Sequence, residues 1–146
     1  MKKIIPIILL LFSLNLTAQH KNRERIKALK VSFITEKLDL TEKEAQKFWP
    51  LYNAFEKETS EIRFKEFKAI QKEIRVNKDS LTNERANDLL ARLNKAELKM
   101  HKAKTDFVSN LSGILPPKKI ILLKLTEDDF KKKMFEEYKK RKKEKN

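Results

Sequence analysis

His20 and His101 are the only imidazoles in a chain of 146 residues that contains no cysteine, so any transition-metal site would have to be built around them. Glu97 stands one helical turn before His101, and Met100 stands beside it. Two ligands are the most that this stretch supplies. Zinc and copper take three or four, so His101 reads as an exposed helical residue and no metal is expected. His20 would be the second residue of a chain cut after Ala18, where a terminal amine and an imidazole can chelate copper. Cyclisation of Gln19 would remove that amine. Nucleophilic catalysis lacks its parts as well, because two histidines offer no Ser-His-Asp or Cys-His order. A single glycine, Gly113, rules out a glycine-rich phosphate loop. The many Glu and Lys residues read as solvated helix faces joined by contacts one turn apart. No cofactor and no enzymatic activity are expected.

Two groups of residues stand out instead. Phe48, Trp49, Tyr52 and Phe55 form an aromatic cluster, with Phe64 and Phe67 further along. Aromatic residues at helical spacing usually bury against a neighbouring helix, and Phe48, Tyr52 and Phe55 read that way. Trp49 and Phe64 fall off that line, so they and Phe67 are candidates for a surface that meets a partner copy or an unfolded client. The second group is the tail. Residues 131–146 hold nine Lys+Arg and three Glu, a formal charge of +6. Lys131, Lys132, Lys133, Lys139, Lys140 and Arg141 read in two ways: as a solvated helix end, or as a patch attracted to an acidic partner or to anionic lipid headgroups.

The elements that must position these groups are helical. One glycine among abundant Lys, Glu, Leu and Ala argues against sheet, which needs turns. Helix one is expected from about Arg23 to Leu38, with Ile26, Leu29 and Phe33 on one face. After a break at Asp39-Leu40, Thr41 and Glu44 have the spacing of a capping box. The helix they start is expected to reach Val76, burying Phe48, Tyr52, Phe55, Thr59, Ile62, Phe67, Ile70 and Ile74. Pro50 predicts a kink inside it. Asp79 or Ser80 is expected to cap helix three, whose Ala86, Leu89, Leu93, Ala96, Met100, Ala103, Phe107, Leu111 and Ile114 recur at nearly heptad spacing. It ends near Gly113, and Pro116-Pro117 open a last helix, the favoured place for proline. That helix is expected to run as one rod through Leu123, Phe130, Met134 and Tyr138. The fold class is therefore all-α: four helices, a long αα-hairpin with flanking N- and C-terminal helices, its leftover apolar surface best covered by a second copy.

The first residues read as an export leader. Lys2 and Lys3 precede an apolar run from Ile4 to Leu16, and the small residue Ala18 offers a cleavage site. Residues 1–18 are too short and poorly flanked for a spanning helix. The expected organisation is a signal peptide over 1–18, a helical domain over 19–130 and a basic helix end over 131–146, in a periplasmic protein. Residues 1–18 hold two of the 35 Lys+Arg and none of the 21 Asp+Glu, so residues 19–146 carry +12. Charge of that size also suits nucleic acid, but export argues against it.

The stretch Leu38 to Asn53, with Phe48-Trp49-Pro50 at its centre, resembles small exported proteins of the Bacteroidetes type described as sensors of ECF-type sigma factors, distant relatives of the Spy/CpxP family. Gly113-Ile114-Leu115-Pro116-Pro117-Lys118-Lys119 and the charged rod after it extend the resemblance over most of the chain. Relatives carry an LTxxQ motif at two helix starts. Here the first is Leu40-Thr41-Glu42-Lys43-Glu44, with Glu in the Gln position, and the second, Leu115-Pro116-Pro117-Lys118-Lys119, keeps only the leucine. The resemblance implies a four-helix, often dimeric, Spy/CpxP-like periplasmic protein of envelope stress. Some relatives signal to a regulator, and others hold unfolding clients without ATP.

Overall fold

The computed structural model describes residues 22–144, and every regular element among them is helical. The leader read over residues 1–18, Gln19, His20 and the last two residues lie outside that range. Helix α1 covers residues 22–37. A long rod follows, made of α2 (Glu42–Glu61), a π-helical turn (Ile62–Phe67) and α3 (Lys68–Val76). Beyond a 3₁₀ turn at Lys78–Ser80 come α4 (Asn83–Ser112) and α5 (Pro117–Lys143). The described residues gather into two compact units: one holds 22–40 and 121–144, the other Thr41–Ile120.

Local chemistry accounts for the boundaries. Helix α1 stops because Asp39 takes a left-handed conformation, φ 47°. The Leu40 N–H then reaches back to the Thr35 carbonyl at 3.0 Å, and the Asp39 N–H to that of Glu36 at 3.1 Å. These are the two bonds of a Schellman stop, which satisfies carbonyls that the helix end leaves open. Helix α2 starts in the capping box: Thr41 Oγ1 accepts from the Glu44 N–H at 3.2 Å, and Glu44 Oε2 accepts from the Thr41 N–H at 2.8 Å. A cap of this kind contributes about 1 kcal/mol. Pro117 is the first residue of α5, where its missing N–H has no partner to lose. Helix α5 is one rod, as expected, and inside it the Thr126 hydroxyl donates to the Leu122 carbonyl at 2.9 Å.

Three expectations require correction. Helix α4 is capped by Thr82, whose Oγ1 accepts from the Arg85 N–H at 3.2 Å, and not by Asp79 or Ser80. The chain spends those two residues in the 3₁₀ turn, where the Ser80 N–H donates to Asn77. Ile74, expected in the buried stripe of the second helix, is 40% exposed, and Phe55 and Phe67 of that stripe are only half-buried. The second rod is not α-helical throughout. The π turn absorbs the five-residue step from Ile62 to Phe67 and so keeps Ile62 and Ile70 buried along one line.

In the unit Thr41–Ile120, α2, the π turn and α3 run antiparallel to α4. Tyr52 and Phe55 meet Phe107 near one end, and Glu73 meets Arg92 and Arg85 near the other. Ala96 and Ala103 are buried on α4 between Leu89 and Phe107, and their small size lets the two rods approach closely. In the other unit, Phe33 packs on Phe130 with ring centroids 5.6 Å apart.

Candidate protein-binding surface

The aromatic cluster is largely core. Phe48 and Tyr52 are fully buried and stack with centroids 5.3 Å apart. Phe55 lies flat on Phe107, 4.2 Å between centroids and 2° between planes. Trp49 is half-buried, its indole edge-on to Phe48 at 4.9 Å and to Tyr52 at 5.4 Å, so it belongs to the margin of the core. Phe67 is half-buried too. Phe64 differs. It sits in the π turn, 53% exposed, with the Lys68 ammonium 4.1 Å from its ring centroid. A cation above an exposed ring is a modest attraction of about 0.5–1 kcal/mol. It leaves the ring edge and the lysine stem open to another chain.

The two stretches singled out in the sequence come together. Glu44 Oε2, already accepting from Thr41, accepts from Lys119 Nζ at 2.8 Å, across 75 residues of chain. Both side chains are about four-fifths covered. Lys119, with help from the Thr41 N–H, holds the Glu44 carboxyl below its ordinary value. At the far end of the hairpin, Arg92 and then Arg85 hold the Glu73 carboxyl below its own, outweighing partial burial. Arg92 contacts Glu73 at 2.8 Å, and Lys99 contacts Glu66 at 2.8 Å.

A carboxyl with a lowered folded-state pKa stabilises the fold above the ordinary value of 4.5 and loses that contribution as pH falls through the lowered value. The melting temperature is therefore expected to be level between about pH 8 and pH 6 and to fall only below the ordinary carboxylate range. In Glu44→Gln with Glu73→Gln, melting followed by circular dichroism should start lower at neutral pH and decline less on acidification. A variant that keeps the parental acid slope would refute the assignment.

The tail residues lie on α5. Lys131 pairs with Asp128 at 3.1 Å, and Lys133 lies 5.3 Å from the Phe33 ring centroid. Lys139 pairs with Glu136 at 3.2 Å and lies 4.4 Å from the Phe135 ring centroid. Lys132, Lys140 and Arg141 are exposed. Sequence reasoning passed over Ile121, Leu125 and Phe135, which are exposed on α5, and Leu90, Leu98 and Val108, exposed on α4. In α5 the signal was present as a second apolar line between lysines.

The groove between the rods near Glu58, Glu61, Ile62, Lys65, Glu66, Lys99 and Lys102 encloses about 280 Å³ and is lined by charges of both signs. Its acids are divided among lysines, as in Lys65–Glu61 at 3.2 Å. His101 and Glu97 are exposed on α4. Among the described residues no three His, Asp or Glu side chains gather as a metal would require. Compared with protein families, curated proteins and solved structures, the chain matches none.

Proposed function

We propose that this chain is a non-enzymatic, exported protein of the bacterial envelope that acts by binding other proteins, as a stress sensor or regulator of the kind that accompanies extracytoplasmic-function sigma factors. The arrangement of its motif stretches carries the reading. In Spy/CpxP relatives both helix starts hold glutamine, and the two corresponding positions here are Glu44 and Lys119, a carboxylate and an ammonium 2.8 Å apart. The two departures from the motif are complementary, which supports a Spy/CpxP-like hairpin closed at that end by an ion pair. Within that hairpin Phe64, 53% exposed, is the aromatic side chain open to a partner.

A photoreactive residue in place of Phe64 tests this in intact cells. A regulatory role yields one dominant crosslinked envelope partner, and the protein fractionates with the periplasm after cleavage near Ala18. No crosslinked partner, or an uncleaved chain in the cytosol, defeats the reading.

A holdase that protects unfolding clients is the second reading. Leu90, Leu98 and Val108 favour it, because they stand singly along α4, 57%, 69% and 49% exposed. Scattered apolar side chains suit weak contacts with many sequences better than one shaped interface. Many unrelated crosslinked polypeptides, together with slower aggregation of a denatured client at stoichiometric ratios, would favour the holdase over the regulator.

A further inference from the structure

Helix α5 carries apolar side chains on two opposite sides. Leu123, Thr126 and Phe130 are buried, with Met134 half-buried after them. Half a turn away, Ile121, Leu125, Asp128, Lys132, Phe135 and Lys139 follow one another at steps of three and four residues, which keeps them on one face. Ile121 is 71% exposed, and Leu125 and Phe135 are each 57% exposed. Three large apolar side chains along one solvent face ask for a cover.

We infer that this face of α5 lies on an anionic lipid surface, with the helix in the plane and Ile121, Leu125 and Phe135 dipping below the headgroups. Charge selects the partner. Lys132 and Lys139 share the line, Lys143 extends it by one more turn, and residues 131–146 carry +6 in total. The one acid on the line, Asp128, is paired with Lys131 at 3.1 Å, and Lys139 shares its charge with Glu136 at 3.2 Å; the end stays cationic because residues 131–146 hold nine Lys+Arg against three Glu. The spacing of charge and apolar surface separates lipid from protein. Lysine is depleted from the dry centre of protein interfaces, yet here lysines stand between and beside the apolar side chains. At a headgroup boundary the same mixture fits, because a ring can sink while the neighbouring ammonium stays at phosphate level. Lys139 over the Phe135 ring at 4.4 Å already has that arrangement. The helix rests on the surface and does not cross, since no helix among the described residues is long and apolar enough to span a membrane.

The chain has no cysteine, so single ones can be labelled. Full-length protein carrying an NBD fluorophore at Leu125→Cys should shift blue on mixed phosphatidylglycerol and phosphatidylcholine vesicles and stay unchanged on phosphatidylcholine alone. The same label at Val108→Cys on α4 should not respond to either. In vesicle sedimentation, Lys132→Gln with Lys139→Gln should weaken binding about thirtyfold, from roughly fivefold for each lysine near an anionic surface. Leu125→Ser with Phe135→Ser should weaken it about tenfold or more. All four positions are exposed, and helicity checks that each variant folds. Residues 1–18 contribute equally to every variant. Equal binding to both vesicle types overturns the inference. So does a loss confined to the lysine variant, which would mean diffuse attraction of the tail, and so does self-association abolished by the serine variant in protein that ignores lipid, which would make the face a contact between copies.

Discussion

Phe107→Ala is expected to lower the free energy of unfolding by about 3–5 kcal/mol, the range for truncating a buried phenylalanine. Phe107 is only 8% exposed, and its ring lies against two others of the same unit: Phe55 at 4.2 Å and 2°, and Tyr52 at 6.0 Å and 63°. Truncation removes the ring's own transfer from water and also strips one face from both neighbours. The hole would be hard to close. Around it α4 carries Ala103 and Leu111, and the facing rod carries the fully buried Tyr52, so no long side chain is free to swing in. Domains of this size are stable by about 5–15 kcal/mol, so the loss takes a large share of the total. Urea unfolding followed by circular dichroism should show the midpoint falling sharply with little change of slope. Phe107→Leu keeps most of the volume and should cost about 1–1.5 kcal/mol. A loss below about 1 kcal/mol for the alanine variant would mean that the stacked rings are not the centre of this unit.

That core was legible in the sequence because helical periodicity is a local signal. Leu89, Ala96, Ala103, Phe107 and Leu111 recur nearly every seven or four residues, and all five are buried. The boundaries set by a single interaction were legible as well: the Thr41–Glu44 box and Pro117 at the start of α5 need only neighbours within one turn. The cap of α4 was not. Asp79, Ser80 and Thr82 are all competent caps, and the choice among them depends on how much chain the turn between the rods consumes. The π turn lay inside a visible irregularity, the five-residue step from Ile62 to Phe67. A step of that size is equally compatible with a shift of the buried face around a regular α-helix. Nothing in the one-dimensional pattern pairs Glu66 with Lys99, Glu73 with Arg92, or Glu44 with Lys119, since each pair exists only once the rods are side by side. Trp49 shows the same limit at one residue. Its place off the main stripe pointed outward, yet a wide indole reaches back to two rings beside it. The outward line of α5 was hidden by dilution: Asp128 and Lys132 separate Leu125 from Phe135, so a scan for apolar runs passes over it.

The unit formed by 22–40 and 121–144 rests on fewer large side chains, and Phe130→Ala is expected to cost it about 3–5 kcal/mol. Phe130 is 5% exposed and meets Phe33 at 5.6 Å, the planes tilted by 49°. Phe33 is half-buried and is flanked by two ammonium groups, Lys133 at 5.3 Å and Lys37 at 5.9 Å from its centroid. Losing Phe130 therefore removes the apolar side of Phe33 and leaves mainly its cations. A ring so placed has less reason to stay against α5. The neighbouring buried residues Ile34, Leu38 and Leu123 are aliphatic and cannot restore a ring contact. A double-mutant cycle separates the two contributions. Phe33→Ala alone should cost less, because that ring starts half in water. The coupling between the two positions should be about 0.5–1.5 kcal/mol, the range for an aromatic pair beyond its area. Hydrogen exchange gives the local readout: in Phe130→Ala the amides of residues 30–38 should lose protection. Coupling near zero, or protection there equal to the parent's, would show that α1 is held by something other than this pair.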